Sequence, residues 1–136
     1  MKWFENTFKD KTVVVTGHTG FKGSWLSLWL LLLGAKVHGI SINKPTEPSH
    51  FDILGLKDNL TDHRLDIRDS ERVSSLLKEI KPNFIFHLAA QALVRPAYEK
   101  PIETITTNSI GSANILEATR GLSAPVIAVM ITSDKA

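Results

Sequence analysis

Between Thr16 and Gly23 the sequence reads Thr-Gly-His-Thr-Gly-Phe-Lys-Gly, which sets glycines at 17, 20 and 23. Glycines at this spacing suit one task, bringing backbone close against a pyrophosphate. Gly17 permits a tight turn, and Gly20 lets the chain approach phosphate oxygens with no Cβ in the way. Gly23 lets the following helix pack against the preceding strand. The phosphates would then rest at the positive end of that helix, on N–H groups that have no partner within it. His18, Thr19, Phe21 and Lys22 fill the intervening positions and join the glycines as candidate contacts. A glycine pattern alone is weak; a buried strand before it and an apolar helix after it make it specific.

A dinucleotide site has a second feature, an acid about 20 residues on at the end of the next strand, which holds the ribose hydroxyls. Here that position reads Ile40-Ser41-Ile42-Asn43-Lys44. Ser41 and Asn43 can hydrogen-bond a ribose, more weakly than a carboxylate would, and Lys44 could meet a 2′-phosphate. From these residues NAD and NADP both stay open. Further on, Ser133-Asp134-Lys135 follows an apolar strand, at the end where ligands bind in parallel sheets. A lysine base must be partly neutral, which burial favours and the adjacent Asp134 opposes. Taken alone, the triplet reads as a polar turn. Cysteine is absent, which excludes disulfides and thiolate metal sites, and no metal site is expected.

The elements that must position these residues are legible in the pattern. Thr12 to Thr16 is short, β-branched and apolar on both faces, as a fully buried strand is. Phe21 to Leu33 is apolar nearly all round, which predicts a helix packed deep between layers and stopped by Gly34. Lys36 to Ile42 is a second strand, and residues 43–62 read as a long loop with one helical turn near Phe51 to Leu54. His63 to Leu65 is a third strand. Asp69 or Ser70 caps a helix to Ile80, with Val73, Leu76, Leu77 and Ile80 on its buried face. Phe84 to Leu88 is a fourth strand, followed by a loop and a helix from Pro101 to Arg120, ended by Gly121. Val126 to Ile131 is the fifth strand, expected to present an apolar edge. Strands alternating with helices predict an α/β, doubly wound parallel sheet of the Rossmann type, with five strands present.

With 136 residues, 43% hydrophobic and 22% charged, the chain has the size and composition of one globular domain. Disorder, a collagen-like chain and a repeat array are excluded. Sixteen basic and 14 acidic side chains leave a net charge of +2, scattered from Lys2 to Lys135. No basic patch forms, so no nucleic-acid partner is expected. The opening MKWFENTFKDK lacks the apolar core of a signal peptide. The most apolar run, Trp25 to Leu33, is about half of the ~20 residues a membrane span needs. No membrane association is expected, and the location expected is cytoplasmic.

Four segments, TGHTGFKG, DIRD, FHLAAQ and TSDK, resemble in this order the extended short-chain dehydrogenase/reductase family. TGHTGFKGSWLSLWL, the stretch from Pro45 to Ser49 and TSDK resemble its sugar-nucleotide 4,6-dehydratases, and among them the branch acting on CDP-glucose. The other branches usually carry an aliphatic residue where Lys22 stands and Glu where Lys135 stands. The resemblance implies NAD as cofactor and CDP-glucose as substrate, converted to CDP-4-keto-6-deoxyglucose. It sets Asp66 and Ile67 at the adenine. Leu88, Ala89, Ala90 and Gln91, after His87, pass beneath the ribose and nicotinamide, and Asn108 is a structural brace. Ser133 would bond the sugar 4-hydroxyl, Asp134 would protonate the departing C6 hydroxyl, and Lys135 stands where relatives place the Glu that removes the C5 proton.

The family's Tyr-x-x-x-Lys is absent, since the only tyrosine is Tyr98 and position 102 is Ile102. The chain therefore resembles an amino-terminal fragment, residues 1–136 forming an incomplete dinucleotide-binding domain without its substrate domain. It is expected to be inactive alone and to form a homo-oligomer. A sibling epimerase or reductase, or a non-catalytic dinucleotide sensor, is the alternative reading.

Overall fold

A computed structural model describes residues 3–132. Five strands form one parallel sheet in the order β3-β2-β1-β4-β5: β1 Thr12–Thr16, β2 Lys36–Ser41, β3 Thr61–Arg64, β4 Phe84–His87 and β5 Ile127–Met130. This is the doubly wound order, with β1 central and the chain reversing direction across the sheet between β1 and β4. Helices α1 Phe21–Leu32 and α3 Ser70–Ile80 follow β1 and β3.

Alternation along β1 divides the core in two. Val14 points to one face with Ile40, Ile85, Val73, Leu77, Ile115 and Ala118, under α3 and the last helix. Val13 and Val15 point to the other with Leu30 of α1, Val37 and the flanking rings of Phe8, Phe84 and Phe86. All three valines are fully buried, as a strand apolar on both faces requires.

Several boundaries differ from the sequence reading. The segment 43–62 contains the expected turn as α2 His50–Ile53, then a 3-10 turn Leu56–Asp58, and β3 begins two residues early, at Thr61. Asp69 is the cap of α3, accepting from the Arg72 N–H at 3.0 Å. The loop after β4 holds a helix the pattern did not show, α4 Val94–Glu99, because its exposed mixture of residues has no apolar stripe. The expected helix from Pro101 to Arg120 is present as α5 Pro101–Ile105 and α6 Gly111–Arg120, joined without a break by a π turn, Thr106–Ile110.

The largest correction concerns α1. It is not enclosed between layers: Gly23, Ser24, Ser27 and Leu30 are buried, whereas Phe21, Trp25, Trp29 and Leu32 stand exposed on its outer side. The apolar edge expected at β5 is present, with Ile127, Val129 and Ile131 exposed.

Candidate functional site

The carboxyl ends of β1 and β4 meet at the glycine turn. Gly17 adopts φ +74°, and a Cβ there would come within 2.9 Å of the Ala89 nitrogen. A Cβ on Gly23 would lie 2.1 Å from the Gly17 carbonyl oxygen, so only glycine admits this approach of helix to turn. Around Gly20 a Cβ would have only the Gly17 carbonyl oxygen nearby, at 3.3 Å; its other side is open. No side chain caps the amino terminus of α1, which leaves its first-turn N–H groups facing that opening. Strand, turn and helix thus form a cradle free of Cβ atoms at the positive end of a helix, a shape and polarity that fit a pyrophosphate.

Thr16 fastens the two strand ends. Its hydroxyl oxygen accepts from the N–H groups of Leu88 (3.1 Å) and Ala89 (3.0 Å). With two donors aimed at that oxygen, its own hydrogen goes to His87 Nδ1, 2.7 Å away. His87 Nε2 then donates to Ser112 Oγ at 2.9 Å, and Ser112 donates to the Asn108 carbonyl. This chain requires a neutral imidazole, and burial holds His87 below its ordinary pKa. Asn108 brackets Gln91, accepting from its N–H at 2.8 Å and donating to its carbonyl at 3.0 Å. The brace that the resemblance implied for Asn108 is therefore a clamp on the segment after β4. Among Leu88, Ala89, Ala90 and Gln91, the amides of the first two and the last are engaged within the protein, and Ala90 is the exposed member.

The candidates between the glycines divide. His18 turns away from the cradle: its ring is fully buried, Nε2 donates to Asp62 at 2.9 Å, and it meets Phe51 edge-on at 5.2 Å. The ring fits only because β2 has glycine beside it, since a Cβ on Gly39 would lie 2.2 Å from the imidazole. Asp62 is also held by Arg64, whose guanidinium lies over Phe51. Burial pulls the His18 pKa down against the attraction of Asp62, and among the described residues its Nδ1 has no hydrogen-bond partner. Any contact of His18 with a ligand would thus come from its main chain. Thr19 is buried as well and ties the turn to the end of β2, donating to the Asn43 carbonyl at 2.6 Å. Ser41 Oγ lies 3.5 Å from the Thr19 nitrogen, at the limit of a hydrogen bond. Phe21 and Lys22 are exposed at the start of α1, Phe21 against the His50 ring.

Lys44 is not free to meet an added phosphate. Its ammonium lies 2.6 Å from Asp52 and 3.3 Å from Glu47. The hydrogen bond to Asp52 raises the lysine pKa, and the same bond holds Asp52 below the usual carboxylate range. Asp66 is similarly engaged: Arg68 grips its carboxylate through Nε and Nη2 and lowers its pKa, and the Arg68 N–H adds a third bond. Ile67 is buried under α6, its side chain filling the space that Gly111 leaves. Ser133, Asp134 and Lys135 lie outside the described residues. No group of three His, Asp or Glu among the described residues is placed to hold a metal ion.

Sequence reasoning missed Thr16, Gly39, Asp62 and Ser112. Gly39 alone carried a signal, an isolated glycine inside a strand, which marks a close approach.

The sequence matches the family described as GDP-mannose 4,6 dehydratase over residues 14–135. The chain belongs to that family. It is 50% identical over 131 residues to the CDP-glucose 4,6-dehydratase of Salmonella typhimurium, covering 96% of this chain and 36% of that protein. Among solved structures, an epimerase from Methanothermobacter thermautotrophicus is similar with a TM-score of 0.79 and 26% identity, over 95% of this chain and 37% of that one. The Thermus thermophilus UDP-glucose 4-epimerase in complex with NAD is similar with a TM-score of 0.69 and 32% identity, over 81% of this chain and 34% of that one. The family membership and these folds agree with the extended short-chain dehydrogenase/reductase resemblance of the four segments. The chain spans 36% of its 50%-identical curated relative. Among the described residues, no helix is long and apolar enough to cross a membrane.

Proposed function

We propose that this chain is the dinucleotide-holding part of a sugar-nucleotide 4,6-dehydratase that converts CDP-glucose to CDP-4-keto-6-deoxyglucose and water, with NAD as its cofactor. The observation that carries the reading is the glycine cradle, where Gly17, Gly23 and the Ala89 backbone approach too closely for any side chain at an uncapped helix start. The 50% identity to a CDP-glucose 4,6-dehydratase supports the substrate. Bound NAD would supply a hydride acceptor that later returns the hydride, so that no net oxidation occurs.

The chain's own residues take the following parts. The first-turn N–H groups of α1 and the backbone of Gly20 hold the phosphates. Ser41 and Asn43 stand at the adenosine ribose, Asp66 and Ile67 at the adenine, and Leu88 to Gln91 beneath the ribose and nicotinamide side. Pairing of Lys44 with Asp52 and Glu47 leaves no unpaired cation at position 44 for a 2′-phosphate, which favours NAD over NADP. Ser133, Asp134 and Lys135 act on the sugar, at its 4-hydroxyl, its C6 hydroxyl and its C5 proton. Tyr98 is 85% exposed on α4 and is followed four residues on by Ile102, so it does not supply the tyrosine base of the family.

Calorimetric titration tests the reading. NAD is expected to bind, and NADP more weakly by severalfold or more. Asp52→Asn, which loosens Lys44, should narrow the gap between them. Absence of binding by a folded chain refutes the cofactor role. Incubation with CDP-glucose and NAD is expected to give no product from this chain alone.

A further inference from the structure

The single turn of α2 holds the glycine turn from two sides. Phe51 lies against His18, which follows Gly17, and its neighbour His50 reaches Ser24, which follows Gly23. His50 Nδ1 lies 2.6 Å from Ser24 Oγ, and the imidazole packs against the rings of Phe21 and Trp25, at 5.1 and 4.7 Å between centroids. Ser24 is fully buried, which excludes it as a nucleophile despite its histidine neighbour. Its hydroxyl also lies 2.8 Å from the carbonyl oxygen of Gly20, the residue at the open centre of the cradle. We propose that His50, acting through Ser24, is a positioning residue of the phosphate cradle, fixing the Gly20–Phe21 peptide so that its N–H faces the anion. The assignment rests on the cradle being the dinucleotide site.

Hydrogen counting supports this role. The Ser24 hydroxyl carries one hydrogen and faces three groups, the carbonyls of Gly20 (2.8 Å) and Phe21 (3.0 Å) and the His50 ring nitrogen. If that nitrogen were bare, the shortest contact would draw the hydroxyl hydrogen to it and leave the buried oxygen with no donor. With a hydrogen on Nδ1, the ring donates to Ser24 and the hydroxyl donates to the carbonyls, so every group is satisfied. The Gly20 carbonyl then accepts twice, from the hydroxyl and from the Ser24 N–H at 2.9 Å. Gly20, without a Cβ, restrains the orientation of this peptide least among the residues of the first turn, so hydrogen bonds must do it. In a trans peptide the Gly20 carbonyl and the Phe21 N–H point in opposite directions. Two bonds on the carbonyl therefore aim the first free N–H of α1 at the opening, whereas a tilted peptide would bring a carbonyl oxygen toward the phosphate. The ring is held in turn from its own segment. Ser49 caps α2, accepting from the Asp52 N–H at 3.1 Å, and Thr19 fastens the start of that segment at Asn43.

Titration with NAD, followed on the amide resonances of the chain, tests the proposal. Ser24→Ala and His50→Leu should each weaken NAD by roughly three- to tenfold, the worth of one hydrogen bond. Each should also shift the Phe21 amide resonance before any ligand is added. His50→Asn, whose amide nitrogen can take the place of Nδ1, should recover most of the loss. Because His50 acts through Ser24, His50→Leu should lower the urea midpoint in either background but cause no further loss of NAD affinity in the Ser24→Ala background. Adenosine, which has no phosphate, should bind the unaltered chain and these variants alike. The proposal is overturned if His50→Leu binds NAD as the unaltered chain does, if the losses add in the double variant, if His50→Asn recovers nothing, or if adenosine is weakened as much as NAD. Ser24→Ala removes one buried oxygen and decides the matter even where a ring variant does not fold, since unchanged NAD affinity in it overturns the proposal alone. A folded, unaltered chain that binds no NAD overturns the cofactor reading and this proposal together.

Discussion

The chain makes the same move twice, strand to turn to helix, and finishes it in opposite ways. After β1 the turn is built from glycines, and the helix starts with no side-chain cap. After β3 the turn contains two aspartates. Asp66 is gripped by Arg68, Asp69 caps α3, and Asn114 of α6 donates to the carbonyls of Ile67 and Arg68. The second turn satisfies itself with its own carboxylates; the first leaves an equivalent set of donors for an anion from outside. Parallel sheets offer several such ends. The difference teaches that free donors, which a candidate anion site needs, remain where local partners are withheld.

The contrast is broken most severely at Gly23. Gly23→Ala drives a Cβ into the Gly17 carbonyl, and should cost roughly 3 kcal/mol or more and abolish calorimetric NAD binding. Next comes Gly39→Ala, which displaces the His18 ring. It should cost about 1–3 kcal/mol in urea melts, and His18→Ala in the same chain should recover part of that loss by emptying the slot. On the closed turn, Asp69→Ala should cost only about 1 kcal/mol through the lost cap and leave NAD affinity unchanged. If Asp69→Ala weakened NAD as much as Gly23→Ala, the distinction between the turns would fail.

The mildest change is in pH. His18 and His87, both beside the open turn, are held below their ordinary pKa by burial. The unfolded chain therefore takes up their protons first. The stability they contribute is complete above about pH 6.5 and declines as pH falls through the folded values. Asp66, lowered by Arg68, keeps its contribution until pH falls below the ordinary carboxylate range. Between pH 7.5 and 6 the urea midpoint should drop slightly. The drop should be smaller in His18→Ala and unaltered in Asp66→Asn.

The glycine turn, the five strands and the Asp69 cap were legible because each rests on a local rule. Steric permission, β-branching and a short side chain near free N–H groups need no knowledge of distant residues. The burial of the His18 ring was not legible because it depends on Gly39, Phe51 and Asp62, up to 44 residues away. The outer face of α1 was misjudged for a related reason. An all-round apolar helix reads as buried, and sequence periodicity does not tell which of its faces the fold covers. Position 44 was left open on charge alone, and its engagement became visible only once Asp52 and Glu47 were placed beside it.

The wide turn at Thr106–Ile110 has a consequence for how the long helix serves two clients. Thr104 before the turn and Asn108 within it reach the Gln91 segment, and Gly111, Asn114 and Ile115 engage the β3 exit and the core on the far side. One surplus residue in a helix rotates everything downstream by about 100° relative to an uninterrupted spiral. Straightening Thr106–Ile110 into a regular helix with every residue retained would swing one of these two sets out of alignment, whereas deleting the surplus residue would leave both in place. The bulge is thus a gearing correction, letting a single rod mesh with the Gln91 segment and with the hydrophobic layer at once.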